Sequence, residues 1–217
     1  PQVFVQVLRD CGGLKALLPE VDALFGVPQK AEYHPEIDTG VHLLMVLEQA
    51  AALSRRGSGF GVNPDNDTAP DSRVTFAALM HDLGKGVTPD DVLPGHRGHE
   101  HAGLPLVKAV CARLKVPNAH RQLALTVCEH HLNSHRAREL RPDTLLRLLE
   151  ATGALREQER FEGFLLACEA DARGREGFED RPYPQADFLR RARERALGVT
   201  AADVRAPGVE GKALGDA

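Results

Sequence analysis

The chain has no tryptophan and only two tyrosines and two methionines in 217 residues. No apolar run approaches the ~20 residues that cross a bilayer, so membrane partners are not expected. Charge of one sign is also scarce. The balance of 27 Lys+Arg against 31 Asp+Glu leaves −4, which argues against a surface built throughout to grip nucleic acid. The four cysteines, Cys11, Cys111, Cys128 and Cys168, include no C-x-x-C pair. They are expected to be buried small hydrophobes in a reducing compartment, consistent with a cytoplasmic location. The opening Pro1-Gln2-Val3-Phe4-Val5 has neither a basic n-region nor a cleavage site, so it does not read as a signal peptide. It also lacks an initiator Met, and the chain stops in Gly211–Ala217 as if an element were beginning; both ends are expected to be cuts in a longer polypeptide. Little of the sequence alternates with period two, so no sheet is expected.

Helical signals fill the space left. The spacing predicts helices over 2–9, 14–25, 40–54, 72–82, 98–115, 118–133, 142–151, 157–172 and 184–197. The 40–54 segment is apolar on nearly every side and is expected to be central and buried. Ser72 is the expected N-cap of its helix, and Pro142 fits the first turn of its own. The stretch 57–71 is polar, rich in Gly, Pro, Asn and Asp and without periodicity, and reads as a flexible loop insertion. With 42% hydrophobic and 27% charged residues, the composition is that of an ordinary globular protein. The fold class expected is all-α.

Ten histidines are the compositional oddity. His42 interrupts the apolar run Val41–Leu47, where a buried imidazole costs free energy unless both nitrogens are paired. His81-Asp82 closes the apolar segment that begins at Phe76; adjacent residues on a helix point ~100° apart, yet near a helix end two such side chains can converge on one ion. His99 opens the next helix beside His96 and His101. His131 sits in the apolar face of its helix with Ala124, Val127 and Cys128, and His130 at the edge of that face. Asp171 flanks the stripe Phe161, Phe164, Leu165, Cys168 and Ala172 on one side and Glu169 on the other, and periodicity does not choose between them. His34, His96, His101, His120 and His135 carry no signal beyond ordinary surface or core histidines.

Imidazole and carboxylate without thiolate suit Mn, Fe, Co, Ni or Zn, with Mg at the carboxylates. An ion so held lowers the pKa of bound water and polarises a phosphoryl oxygen. Asp82 is by type the residue suited to bridge two ions.

The order His42, His81-Asp82, His99, His130-His131, Asp171 resembles the HD-domain metal-dependent phosphohydrolase superfamily, an all-α fold. Within it, the runs from His34 to His42, from Phe76 to Gly86, from Cys128 to His131 and from Ala167 to Arg175 resemble the C-terminal HD domains of bacterial CCA-adding enzymes, the tRNA nucleotidyltransferases. The resemblance implies an HD helical bundle over 28–197, the end of a helical connecting region over 1–27, and the start of a tRNA-binding tail over 198–217. It implies 2′,3′-cyclic phosphodiesterase, 2′-nucleotidase and phosphatase activity with Ni or Mg. It assigns His42, His81, Asp82 and Asp171 as metal ligands, and His99, His130 and His131 as ligands of a second ion or of the phosphate. The mechanism expected is attack on phosphorus by hydroxide supplied at the metal, with a proton passed from a histidine to the leaving ribose oxygen. Lys85 is the first cation expected to neutralise equatorial oxygens, and Arg97 the second. The implied partners are the tRNA 3′ end or nucleotides carrying a 2′-phosphate or 2′,3′-cyclic phosphate, with the chain a monomer or weak dimer.

Nucleotide addition itself would need a strand-borne Gly-rich turn and paired carboxylates; Gly57-Ser58-Gly59 and Asp65-Asn66-Asp67 lie outside any strand context and do not supply it. Two further readings stand beside the phosphohydrolase. One is an inactive HD scaffold that only positions tRNA. The other is an HD hydrolase of another nucleotide, such as a dNTP, guanosine tetraphosphate or a cyclic dinucleotide. Arginine outnumbers lysine 21 to 6, but 121–195 carries 14 Arg against 14 acidic residues, so that stretch is neutral. The single concentrated basic run is Leu189–Arg195, where tRNA contact would be expected with the tail.

Overall fold

The computed structural model describes residues 1–56, 69–200 and 203. Among these residues ten α-helices follow one another: α1 Gln2–Asp10, α2 Gly13–Leu17, α3 Pro19–Asp22, α4 Thr39–Arg56, α5 Ser72–Met80, α6 His99–Arg113, α7 Asn118–His135, α8 Pro142–Ala151, α9 Gln158–Arg173 and α10 Pro184–Gly198. Two 3-10 turns, Leu83–Val87 and Ala137–Glu139, are interposed. No β-strand occurs among the described residues, so the all-α expectation holds.

The differences from the sequence reading have local causes. The helix expected over 14–25 is two short ones, because Pro19 forces Leu18 out of the helical region (φ −137°, ψ 63°) and then starts α3 at its first position. The cap of α5 is Asp71 rather than Ser72: its carboxylate accepts from Arg73 N at 2.8 Å. The expected insertion at 57–71 falls outside the described residues except for 69–71, as does the tail beyond 200 except for Asp203. Cys111, Cys128 and Cys168 are buried as expected, but Cys11 is exposed at the end of α1.

The core is one apolar body. α4 packs on α9 and α5, α5 on α7, and α7 on α6 and α9. Leu43, Val46 and Leu47 of α4 and Phe161, Phe164 and Leu165 of α9 belong to this core and have almost no exposure. Val41, on the outer side of α4, is exposed, so the helix is central without being buried all round. Two glycines allow approaches that place functional side chains. A Cβ at Gly84 would collide with the His99 carbonyl and lie 2.7 Å from Gly103 N, so the turn after Asp82 can press directly on α6. A Cβ at Gly174 would lie 2.6 Å from Val46 Cα, so the end of α9 can press on α4.

Candidate metal centre

Four helices and one turn deliver the polar cluster into this apolar body. Asp38 anchors the start of α4, its carboxylate accepting from Val41 N and Gly26 N, and His42 follows in the first turn. α5 stops at Met80; His81 is still helical and Asp82 leaves the helix at φ −111°, ψ 14°, which turns the two adjacent side chains toward each other. His99 opens α6, His131 lies in the last third of α7, and Asp171 near the end of α9. All six are buried, as is Lys85.

The imidazoles share one orientation. The Nδ1 atoms of His42, His81, His99 and His131 face the backbone carbonyls of Gly174 (2.8 Å), Ala78 (2.7 Å), His96 (2.7 Å) and Val127 (3.0 Å). A carbonyl accepts only, so each Nδ1 carries the proton and each neutral ring turns an unprotonated Nε2 inward. Those Nε2 atoms meet carboxylate oxygens. His81 lies 3.1 Å and His42 3.9 Å from Asp82 Oδ2, His99 3.1 Å and His131 3.6 Å from Asp82 Oδ1, and His42 3.1 Å from Asp171 Oδ1. His99 Nε2 and His131 Nε2 are 3.3 Å apart.

Lone pairs facing carboxylate oxygens repel unless something positive lies between them. His81 Nε2 and Asp82 Oδ1 are buried and have no hydrogen-bond partner. Such orphaned atoms are costly in a core and are what a bound cation would satisfy. The residues therefore fit a divalent ion. Two ligand groups share Asp82: His42, His81 and Asp82 on one side, and Asp82, His99 and His131 on the other. The Asp82 carboxylate turns Oδ2 toward the first and Oδ1 toward the second.

The electrostatics agree. Burial alone would push the Asp82 carboxyl up, but His81 and Lys85 hold it well below the usual carboxylate range. Asp171 is likewise held low against burial, by His135, His42 and His81. Burial drives His131 down to about 3 despite both carboxylates, so it stays a neutral lone-pair donor at physiological pH. At His81 burial is outweighed by Asp82, and the affinity for a positive charge, here a proton, is raised.

Sequence reasoning missed the groups that hold the ligands. His135 Nε2 lies 2.6 Å from Asp171 Oδ2, and its Nδ1 lies 3.1 Å from the Tyr183 hydroxyl, which in turn meets Ser134 Oγ at 2.9 Å. Glu36 places Oε1 3.0 Å from both His34 Nδ1 and His42 Nδ1, a carboxylate behind an imidazole whose Nε2 faces the cluster. The usable signal was spacing: His135 stands four residues after His131, one helical turn along the same face. Lys85 Nζ bonds Asp82 Oδ2 and Gln29 Oε1, each at 2.6 Å.

Other expected residues are not drawn in. His130 is half-buried beside Glu129 at 3.9 Å and belongs to neither ligand group. Glu169 pairs with Arg173 at 2.7 Å, so of the two acids flanking the α9 stripe the cluster takes Asp171. Arg97 is exposed on the wall of a cleft of about 920 Å³ that Lys85, His99 and His135 also line. In α10, Arg190 bonds Glu162 and Asp187, and Arg193 bonds the Ala154 carbonyl, so half of the basic run is engaged within the fold.

The family model described as "HD domain" matches residues 39–173. The chain belongs to the HD domain family. HD domains are a metal-dependent phosphohydrolase family that binds divalent ions, and the His/Asp groups above are positioned to hold such an ion. The chain is similar to proteins named "Multifunctional CCA protein". It is 57% identical over 217 residues to that of Thioalkalivibrio sulfidiphilus (strain HL-EbGR7), covering all of this chain and 49% of the relative. The corresponding figures are 53% over 217 residues, 100% and 50%, for Pseudomonas syringae pv. syringae (strain B728a). For Vibrio campbellii (strain ATCC BAA-1116) they are 50% over 216 residues, 100% and 50%. The chain thus spans about half the length of the curated relatives it matches. No helix among the described residues of this HD domain is long and apolar enough to cross a membrane.

Proposed function

We propose that this HD domain hydrolyses 2′,3′-cyclic phosphates and 2′-phosphates of ribonucleotides, with a divalent ion, Ni or Mg, and that it serves a cytoplasmic tRNA CCA-adding and repair enzyme. The observation that carries the reading is the set of four inward Nε2 atoms around two low-pKa carboxylates, opening on a cleft lined with cations.

His42, His81, Asp82 and Asp171 would hold one ion, and Asp82, His99 and His131 a second. A divalent ion there supplies an acidified water and a Lewis acid for a phosphoryl oxygen. The chain's own residues do the remainder. Asp82 is fixed by Lys85, and Asp171 by His135, so neither carboxylate needs to reorganise when substrate arrives. The Lys85 ammonium, on the cleft wall beside Asp82, offsets charge on an equatorial oxygen. His99 reaches both the cluster and the cleft wall; where only the first ion is bound, its Nε2 would be free to give a proton to the leaving ribose oxygen as the P–O bond breaks, and where the second ion is bound that Nε2 would be a ligand instead. His130 is retained only as a more distant member of the set.

The test is direct. The chain is incubated with 2′,3′-cyclic AMP or 2′-AMP plus Ni or Mg, beside a His81→Ala, Asp82→Ala variant. Turnover by the parent and none by the variant is expected. A parent that turns over neither would favour the scaffold reading or another nucleotide, and turnover that survives the double substitution would remove the site assignment.

A further inference from the structure

The cleft beside the ligand cluster is larger than one phosphate requires. Its volume of about 920 Å³ is near the top of the range for small-molecule sites, roughly 300–1,000 Å³. Among the described residues six cationic side chains line it, Lys30, Lys85, Arg97, Arg136, Arg175 and Arg181, and no carboxylate does. The chain as a whole has four more acidic than basic residues, and these cations come from widely separated segments, so the cleft's charge is a product of folding. Three of the six are committed: Lys85 to Asp82 at 2.6 Å, Arg175 near Asp171 at 3.7 Å, and Arg136 near Glu139 at 3.5 Å. Lys30, Arg97 and Arg181 are exposed and make no ion pair among the described residues. Beside them lie aromatic faces. Arg181 sits 4.8 Å above the Phe178 ring, and Tyr33 is 53% exposed.

Cations tracking a backbone, interleaved with aromatic faces on which bases can stack, make the usual platform for single-stranded nucleic acid. We propose that Lys30, Arg97 and Arg181 form a subsite for a phosphate other than the reacting one, and that the cleft takes the end of a single-stranded RNA in preference to a mononucleotide. The orientation of that RNA, with its terminal phosphate at the metal cluster, rests on the phosphohydrolase reading; the subsite itself does not. A nucleoside polyphosphate shares the chemistry of several linked phosphates and is a separate arm of the test.

Binding is measured by fluorescence anisotropy with the full chain in EDTA, which removes turnover. The probes are a 5′-labelled ribotrinucleotide ending in a 2′,3′-cyclic phosphate, with 2′,3′-cyclic AMP and ATP as competitors. The trinucleotide is expected to bind at least about tenfold tighter than the cyclic mononucleotide, the increment of roughly one added charged contact. In a Lys30→Ala, Arg97→Ala, Arg181→Ala variant the log–log salt dependence should flatten by about 0.7, the contribution of one phosphate contact to a single strand. A control removing three exposed charges outside the cleft and outside the Leu189–Arg195 run, Lys15→Ala, Lys108→Ala, Arg156→Ala, should leave the affinity within about twofold. Each single substitution is read as well, so a misfolded triple variant does not decide the outcome. The proposal is overturned if trinucleotide and mononucleotide bind alike, if the control loses as much as the cleft variant, or if ATP outcompetes the trinucleotide. Absence of hydrolysis with metal would sink the phosphohydrolase reading and leave this binding result standing.

Discussion

His135 holds Asp171 by a 2.6 Å hydrogen bond from Nε2 to Oδ2, and the Tyr183 hydroxyl at 3.1 Å fixes the other side of the same ring. The arrangement is the reverse of that at the four histidines proposed as metal ligands. There a carbonyl takes the Nδ1 proton and Nε2 is left for the centre; here the proton sits on Nε2, and the ring serves the carboxylate. Asp171 Oδ1 is thereby left facing His42 at 3.1 Å.

Replacing His135 should therefore weaken metal binding without removing a ligand. His135→Ala is expected to lower Ni affinity about 10–100-fold, as for other residues behind metal ligands. Tyr183→Phe, which keeps the bond to Asp171, should lose less. Isothermal titration of both variants checks the order; an unchanged affinity in His135→Ala would remove the positioning role.

Asp82 turns one oxygen to each ligand group, so stoichiometry should separate the two groups. The parent is expected to bind two ions. His131→Ala should retain the one at His42 and His81, and Asp82→Ala should retain neither at comparable affinity. Elemental analysis after equilibrium dialysis reads the ratio, and a single ion in the parent would refute the second site.

Metal should stabilise the fold, because the apo cluster buries lone pairs against carboxylates. At about 100 times Kd a ligand of the native state contributes about 2.7 kcal/mol. For a chain of this size that is a rise of roughly 5–10 °C in Tm. Differential scanning fluorimetry with Ni should show the rise, EDTA should reverse it, and His81→Ala should show little of it.

Gly84→Ala tests the approach of the turn to α6. The added methyl meets the His99 carbonyl and Gly103 N, and overpacking of this kind costs about 1–3 kcal/mol. Both chemical-denaturation stability and metal affinity should fall, since the same displacement moves Asp82 away from His99.

Asp71 makes an acid-dependent contribution. Its carboxyl is held below the usual aspartate range, since the hydrogen bonds from Arg73 outweigh burial. A depressed folded-state pKa stabilises above the ordinary aspartate value of ~3.9, and that stability is lost as pH falls through the lower, folded-state value. Asp71→Ala should cost about 1 kcal/mol at neutral pH, a drop of roughly 2–4 °C in Tm. The gap between parent and variant should close in strong acid.

The helices were legible because their apolar spacing repeats every turn and Pro142 and Pro184 mark first positions, which a linear chain records by itself. The ligand types were legible for a similar reason. His42 within Val41–Leu47 and Asp82 after an apolar run are polar groups that a core would otherwise exclude. What a chain cannot record is which groups from different helices meet. Glu169 and Asp171 flank the same stripe, and only the approach of Gly174 to Val46, which seats α9 on α4, brings Asp171 to His42 and leaves Glu169 with Arg173. His135 looked like any other histidine at a helix end until α9 and Tyr183 closed around it. The cleft is the plainest case. The six cations that line it among the described residues are scattered through a chain of net charge −4, and only the fold gathers them there with no described carboxylate among them.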